Sequence, residues 1–242
     1  MKNLAAIYKQ FDSMLRRGYE NLPPQMSVFN AFIQANIDVV KVYITKTIRL
    51  NGGAILAPYQ ITRGSLPSIS MATNASRILV SSLRLGSLTI DAATTVGQFS
   101  EAIIANNDDF DEGDQLTFFH GVQTIDTVTR TPRATIKGYK VILNTAEDTK
   151  LWDVVDKIGF SVADNCLATS QQITNGAAVW VHSRDASDGS LKVSTQFFYV
   201  ENSALASYQG RTAFLSSANS YGGINSAAVY LQPDVAALDV AP

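Results

Sequence analysis

The sequence is short of the residues that carry most covalent and catalytic chemistry. It has one cysteine, Cys166, and two histidines, His120 and His182, among 242 residues. A lone cysteine excludes an intrachain disulfide, so the fold must be held by packing alone. It also excludes a zinc site built on CxxC or Cys-His spacing, which leaves a buried core thiol as its default role. Neither histidine sits in an HExxH or HxE pattern, and the phosphate-cradling motifs GxGxxG and GxxxxGK[ST] do not occur. Ser183 follows His182 without the GxSxG elbow that exposes a serine nucleophile. No catalytic constellation emerges, and no cofactor is expected.

Charge is scarce as well. Lys and Arg number 19 and Asp and Glu 21, a net charge of -2, and the charged fraction is 17%, against about 25% in typical soluble domains. That balance provides no field for holding nucleic acid through its phosphates. Ser, Thr, Asn and Gln fill the polar positions instead. Such a surface fits exposed strand faces, and equally one that neighbours will cover, because a hydroxyl or amide costs far less to desolvate than a charge.

Long apolar runs are missing too, so no membrane-spanning helix is expected. At the N-terminus Tyr8, Lys9, Gln10 and Asp12 interrupt the apolar residues at once. No signal peptide is therefore expected, and the chain would be made in the cytoplasm and leave it, if at all, by another route.

What is present is periodicity. Leu4, Ile7, Tyr8, Phe11, Met14 and Leu15 recur at helical spacing, and the prolines of NLPPQ end that pattern. Ser27 is placed to cap a second helix carrying Phe29, Phe32, Ile33, Ile37 and Val40, expected to reach about residue 43. LNGG, residues 50–53, has the composition of a strand-reversing turn. From residue 54 the period is two. Strands are predicted at 54–62, 76–83, 114–123 and 135–143, in both arms of 177–200, and at AAVYLQP near the end. Short helices are predicted at about 96–106 and within KLWDVVDKI.

The resulting expectation is a mainly β chain: an antiparallel β-sandwich over 49–242, ending in a tail, preceded by a helical N-terminal arm of two helices over 1–48. The closing PDVAALDVAP would be either docked on a partner or frayed.

Four polar or aromatic groupings stand out. Asp109, Asp111 and Asp114 in NNDDFDEGDQ offer hard oxygens for calcium, but Gly113 sits where an EF-hand needs a ligand and no Glu falls at the twelfth position, so a solvated turn competes. Arg130, Arg133, Lys137 and Lys140 form a basic run, readable as phosphate contacts or as charges guarding a strand edge. In AAVWVHSRDASDGSLKVSTQFFYV, residues 177–200, Gly189 can supply the positive φ of a turn, and both faces are apolar toward the base. Ser194, Thr195 and Gln196 there read as strand surface, with Trp180 or Phe198 free to face a partner. Trp152, Trp180, Tyr208 and Tyr221 would serve a carbohydrate-binding module as stacking platforms.

YQITRGSLP (59–67), preceded by FNAFIQANI (29–37), together with GDQLTFF (113–119) and HSRDASDGSLKVSTQ (182–196), resembles blocks of uncharacterised β-sandwich proteins of Bacteroidota and their phages. The resemblance covers about half the chain in short blocks, with Gly64 and Pro67 expected to fix a turn. At its start the chain has the Leu4 to Leu15 helix where that group has a glycine-rich opening. The resemblance implies a binding or structural module of a phage particle and no enzyme activity.

Together these readings favour a non-enzymatic structural subunit of a virion, as capsid, decoration or tail-connector protein, whose partners are copies of itself and other virion proteins. Leu4, Ile7, Phe11, Leu15, Trp180 and Phe198 are the expected interface residues. On that reading, removal of residues 1–26 would abolish assembly and leave the sandwich folded.

Overall fold

A computed structural model describes residues 2–11, 18–129 and 131–220. The chain begins with α1 (Lys2–Tyr8), continued by a 3-10 turn to Phe11, then α2 (Val28–Asn36) and α3 (Lys46–Leu50). Strands β1 (Gln60–Thr62), β2 (Met71–Thr73) and β3 (Ile78–Arg84) precede α4 (Val96–Asn106). A long hairpin, β4 (Gln115–Ile125) and β5 (Pro132–Ile142), leads through α5 (Leu151–Val154) to β6 (Ser161–Ala163), β7 (Cys166–Gln172) and β8 (Gly176–Asp185). Last come β9 (Leu191–Val193), β10 (Gln196–Phe197), β11 (Tyr199–Glu201) and α6 (Arg211–Ser220). The chain is mainly β and every strand ladder is antiparallel, as the period of two predicts.

The central sheet runs β11-β8-β4-β5, with β9 beside β8, and it is covered on both faces. Alternation along β4 and β8 divides the core accordingly. Phe119, Ala177, Val179 and Val181 point to a first core shared with α1, α2, Tyr59, Ile61 and Phe198. Leu116, Phe118, Ala178 and Trp180 point to a second, closed by α4 and by the β2-β3-β7-β6 sheet. Apolar residues on both faces of 177–181 are thus the signature of a sheet buried between two layers. Gly159 shows how tight the second core is: a Cβ there would lie 2.1 Å from the Phe118 ring, and its carbonyl accepts the Trp180 indole N–H at 2.9 Å.

Several local expectations agree with the structure. The Ser27 hydroxyl accepts Asn30 N–H at α2, and the helix predicted at 96–106 is α4, which a capping box of Thr95 and Gln98 begins. Gly189 has φ +78 in the turn after β8. Other expectations are corrected. α2 stops at Asn36, because the β-branched run Val39, Val40 and Val42 loses side-chain freedom in a helix. LNGG ends α3 rather than reversing strands, with Gly52 at φ +75 and Gly53 N–H returning to the Ile48 carbonyl. β6 and β7, not foreseen, turn at Asp164 and Asn165, both at positive φ. AAVYLQP and the tail lie outside the described residues, as does Leu15.

Of the strand predicted at 54–62, only Gln60–Thr62 joins a ladder. The rest joins no ladder and is buried apart from Pro58, where Tyr59 N–H turns back to the Ala57 carbonyl, and side-chain amides stand in for a neighbouring strand. Asn3 accepts Ile55 N–H at 2.8 Å and donates to its carbonyl at 2.9 Å. Gln123 accepts Leu56 N–H and donates to the Ala54 carbonyl. Asn36 does the same for both groups of Gln60, at 2.7 and 2.9 Å.

The helices are therefore no reaching arm, and the expected boundary at 48/49 has no counterpart in the packing. Leu4, Ile7 and Phe11 are buried against the central sheet, and Trp180 and Phe198 are buried as well. The proposed interface set is corrected on this point: the chain's own core uses these side chains, Trp180 in the second core and the others in the first, where they cover the sheet together with residues 54–61. Among the described residues no helix is long and apolar enough to cross a membrane.

Removing residues 2–11 should cost the cooperative thermal transition rather than assembly alone, and calorimetry of the truncated chain checks this. Asn3→Ala strands the N–H and C=O of Ile55 in the core and should lower stability by about 1–3 kcal/mol by denaturant titration. A truncated chain melting at the temperature of the full chain would contradict both expectations.

Candidate functional site

The described residues hold one buried cluster of charged and titratable side chains, and strand register assembles it. β4 pairs with β8 so that Gln115 faces Ser183 and Leu116 faces His182. Continuing that register brings Asp114, just before β4, opposite Arg184. Alternation then puts Asp114, His182 and Arg184 on the side of the second core.

Asp114 is held from three directions. His182 Nε2 lies 2.8 Å from Oδ2, Arg184 donates through Nε at 2.6 Å and Nη2 at 2.7 Å, and Asp111 N–H donates at 2.8 Å. The His182 and Asp114 side chains are each 1% exposed, and Arg184 is 29% exposed at the rim. Phe110 stacks on the imidazole with ring centroids 3.9 Å apart. Burial by itself would raise the Asp114 pKa, but the hydrogen bonds from Arg184 and His182 outweigh it and hold the carboxyl at about 2.

The same contacts answer the calcium reading of Asp109, Asp111 and Asp114. Arg184 Nη2 also meets Asp111 Oδ2 at 2.8 Å and the Asp109 carbonyl at 2.9 Å, so its guanidinium occupies the position a cation would take. Among the described residues no three His, Cys, Asp or Glu side chains converge to hold a metal ion. Nor, among the described residues, does a nucleophile reach the imidazole. Nδ1 of His182 is buried with no hydrogen-bond partner, and Ser194 Oγ accepts the backbone N–H of His182 instead.

Ser194, Thr195 and Gln196 stitch two loops together. Thr62 Oγ1 donates to the Ser194 carbonyl at 2.6 Å, and Thr195 Oγ1 exchanges hydrogen bonds with both backbone groups of Gly64 at 3.0 Å. Gly64 has no room for a side chain, since a Cβ would lie 2.2 Å from the Val193 carbonyl.

The basic run disperses. Arg133 pairs with Asp126 at 3.3 Å, Arg130 lies outside the described residues, and Lys137 and Lys140 project from opposite faces of β5. Lys137 lines a cavity of about 480 Å³ with His120, Tyr139, Asp156 and Lys157. There burial lowers the His120 pKa, Asp156 opposing and Lys137 reinforcing the shift, and Tyr139 donates to Asp156 Oδ2 at 3.3 Å. Lys140 lines a second cavity of about 380 Å³ on the other face, with Thr117, Ile142, Arg184 and Asp185.

The aromatic platforms of the carbohydrate reading do not gather. Trp180 is wholly buried, Tyr208 rests against Phe214, Tyr221 lies outside the described residues, and the Lys157 ammonium sits 4.2 Å from the centre of the Trp152 ring. Sequence reasoning singled out Asp114 and missed its partner Arg184, 70 residues away. The available signal was the pairing of GDQLTFF with AAVWVHSR, which places the acid opposite the base.

No family model, no curated protein and no solved structure matches this chain.

Arg184→Ala should leave a buried, poorly compensated carboxylate and lower stability by about 3 kcal/mol, read from urea titration at pH 7. Because the folded pKa of Asp114 lies below its unfolded value, its contribution is complete above the unfolded value and disappears as pH falls toward 2. Denaturant midpoints measured from pH 5 to pH 2 should fall more steeply for the wild type than for Asp114→Asn.

Proposed function

We propose that the chain is a non-enzymatic structural subunit of a larger assembly, a bacteriophage virion component. One observation carries this reading: the longest hairpin ends in uncovered apolar side chains. Ile125 is 53% exposed and Val128 74%, at the connection between the two eleven-residue strands β4 and β5. Leu50, 67% exposed, precedes the turn that packs beside them, where Ala54 N–H meets the Pro132 carbonyl. Apolar residues gathered at a protruding tip are costly in water and gain free energy when a neighbour covers them.

The surface composition supports the same reading, since a charged fraction of 17% leaves few ionic groups to desolvate in a contact. The chemistry of the buried cluster agrees: Arg184 and His182 both serve Asp114, and among the described residues no hydroxyl stands where the imidazole could activate it. The resemblance of the 59–67 and 182–196 blocks to phage-associated sandwich proteins gives the assembly its kind.

The test is quantitative mass spectrometry of particles purified from the source culture. The chain should be present at a high, fixed ratio to the major shell protein, and its absence would overturn the reading. The double variant Ile125→Asp, Val128→Asp should keep the wild-type melting temperature within a few degrees and be lost from the particles.

A further inference from the structure

The central sheet ends at β5, and part of that edge has no partner. Leu143 N–H bonds to the Asp114 carbonyl, so in the antiparallel ladder Lys137, Tyr139 and Val141 direct their backbone groups to β4. Gly138, Lys140 and Ile142 therefore direct theirs outward. Among the described residues nothing meets these outward groups, whereas at the start of the strand the Pro132 carbonyl is taken by Ala54 N–H and Ala134 and Ile136 are buried. The open edge runs from Lys137 to Ile142.

A groove accompanies the edge on each face. On one side are Lys137 and Lys157 with Asp156, whose carboxylate accepts the Tyr139 hydroxyl. On the other is Lys140 with Asp185; Arg184 borders that groove too, but its guanidinium is already bound to Asp114 and Asp111. Along the edge Lys137, Lys157 and Lys140 thus stand against Asp156 and Asp185, and neither Lys137 nor Lys140 forms a salt bridge with a described acid. A second copy adding edge to edge would set one basic edge against another, which like-charge repulsion opposes. An acidic strand would neutralise the lysines on both faces.

We propose that the β5 edge accepts an extended acidic segment of an assembly partner as an added strand. Main-chain hydrogen bonds to Gly138, Lys140 and Ile142 hold it, and its alternate side chains enter the two grooves, with acids meeting Lys137 and Lys140. This rests on the assembly reading and names the chemistry of its partner.

The test uses the full chain and a fluorescent, capped eight-residue peptide of Thr and Val with two glutamates three positions apart, matching the spacing of Lys137 and Lys140. Anisotropy should report binding about tenfold tighter than for the same peptide with lysines, weakening as salt rises. The double variant Lys137→Glu, Lys140→Glu should reverse that preference, and Lys140→Pro, which removes one outward N–H and leaves the β4 ladder intact, should abolish binding. If Lys140→Pro fails to fold, methylating alternate amides of the peptide removes the same hydrogen bonds from the other side and should equally abolish binding. Equal binding of both peptides, or none, overturns the proposal. So does a wild-type dimer that Lys140→Pro dissolves, which would give the edge to a second copy. The particle measurement is independent of these results, so a chain found in virions that ignores the peptide would retain the assembly role and lose this one.

Discussion

The fold depends on the amides that hold residues 54–60. This stretch passes between the helices and the central sheet, where its peptide groups are cut off from water and would each cost free energy if left unpaired. Asn3, Asn36 and Gln123 meet them, and Asn202 adds a hydrogen bond to the Leu56 carbonyl. A side-chain amide sets an acceptor oxygen beside an NH2 group with two donors, so it can meet both groups of one residue as a strand would and still hold a second carbonyl. The consequence reaches beyond the segment. Asn3 belongs to α1 and Asn36 to the last residue of α2, so the same hydrogen bonds seat the helices on the sheet and bring Leu4, Ile7 and Phe32 into the first core.

Where a residue's role follows from its near neighbours, the sequence was readable. The helix at 96–106, the Ser27 cap, the alternation of β4 and β8 and the glycine of the 185–189 turn are all local patterns, and each has its expected conformation. Where the role is set by a partner far along the chain, it was not. Residues 54–59 carry a strand pattern, but the choice between a ladder and three amides is made by Asn3, Asn36 and Gln123. The Leu4 to Phe11 stripe shows that a helix buries one face without saying which surface receives it. Asp114 illustrates the same limit at the site: the Asp-rich loop reads as a solvated turn or a metal site, and only the register with β8 supplies Arg184.

Function follows a similar division. The buried acid is met by both the imidazole and the guanidinium, an arrangement that braces the two strands, while His182 Nδ1 stays buried without a partner. The features still uncommitted lie outside, in the apolar hairpin tip and the basic edge of β5. Both belong to the same two strands, whose eleven-residue length projects one end of the hairpin past the body of the sheet and leaves its flank open.

The two-sided burial of the central sheet raises a difficulty that one-sided sheets escape. In a sheet with one wet face, a strand displaced by one residue sends its apolar set into water, and solvation rejects the error. β8 has no such safeguard, for a slip would exchange Val179 and Val181 for Ala178 and Trp180, apolar for apolar. The discrimination must come from groups that tolerate only one alignment. Asp114, His182 and Arg184 meet only when Leu116 faces His182, and in any other pairing a carboxylate would enter the interior without its counter-charge. The buried brace is thus a proofreading device for strand alignment, and its free-energy cost is what makes misaligned packings uncompetitive.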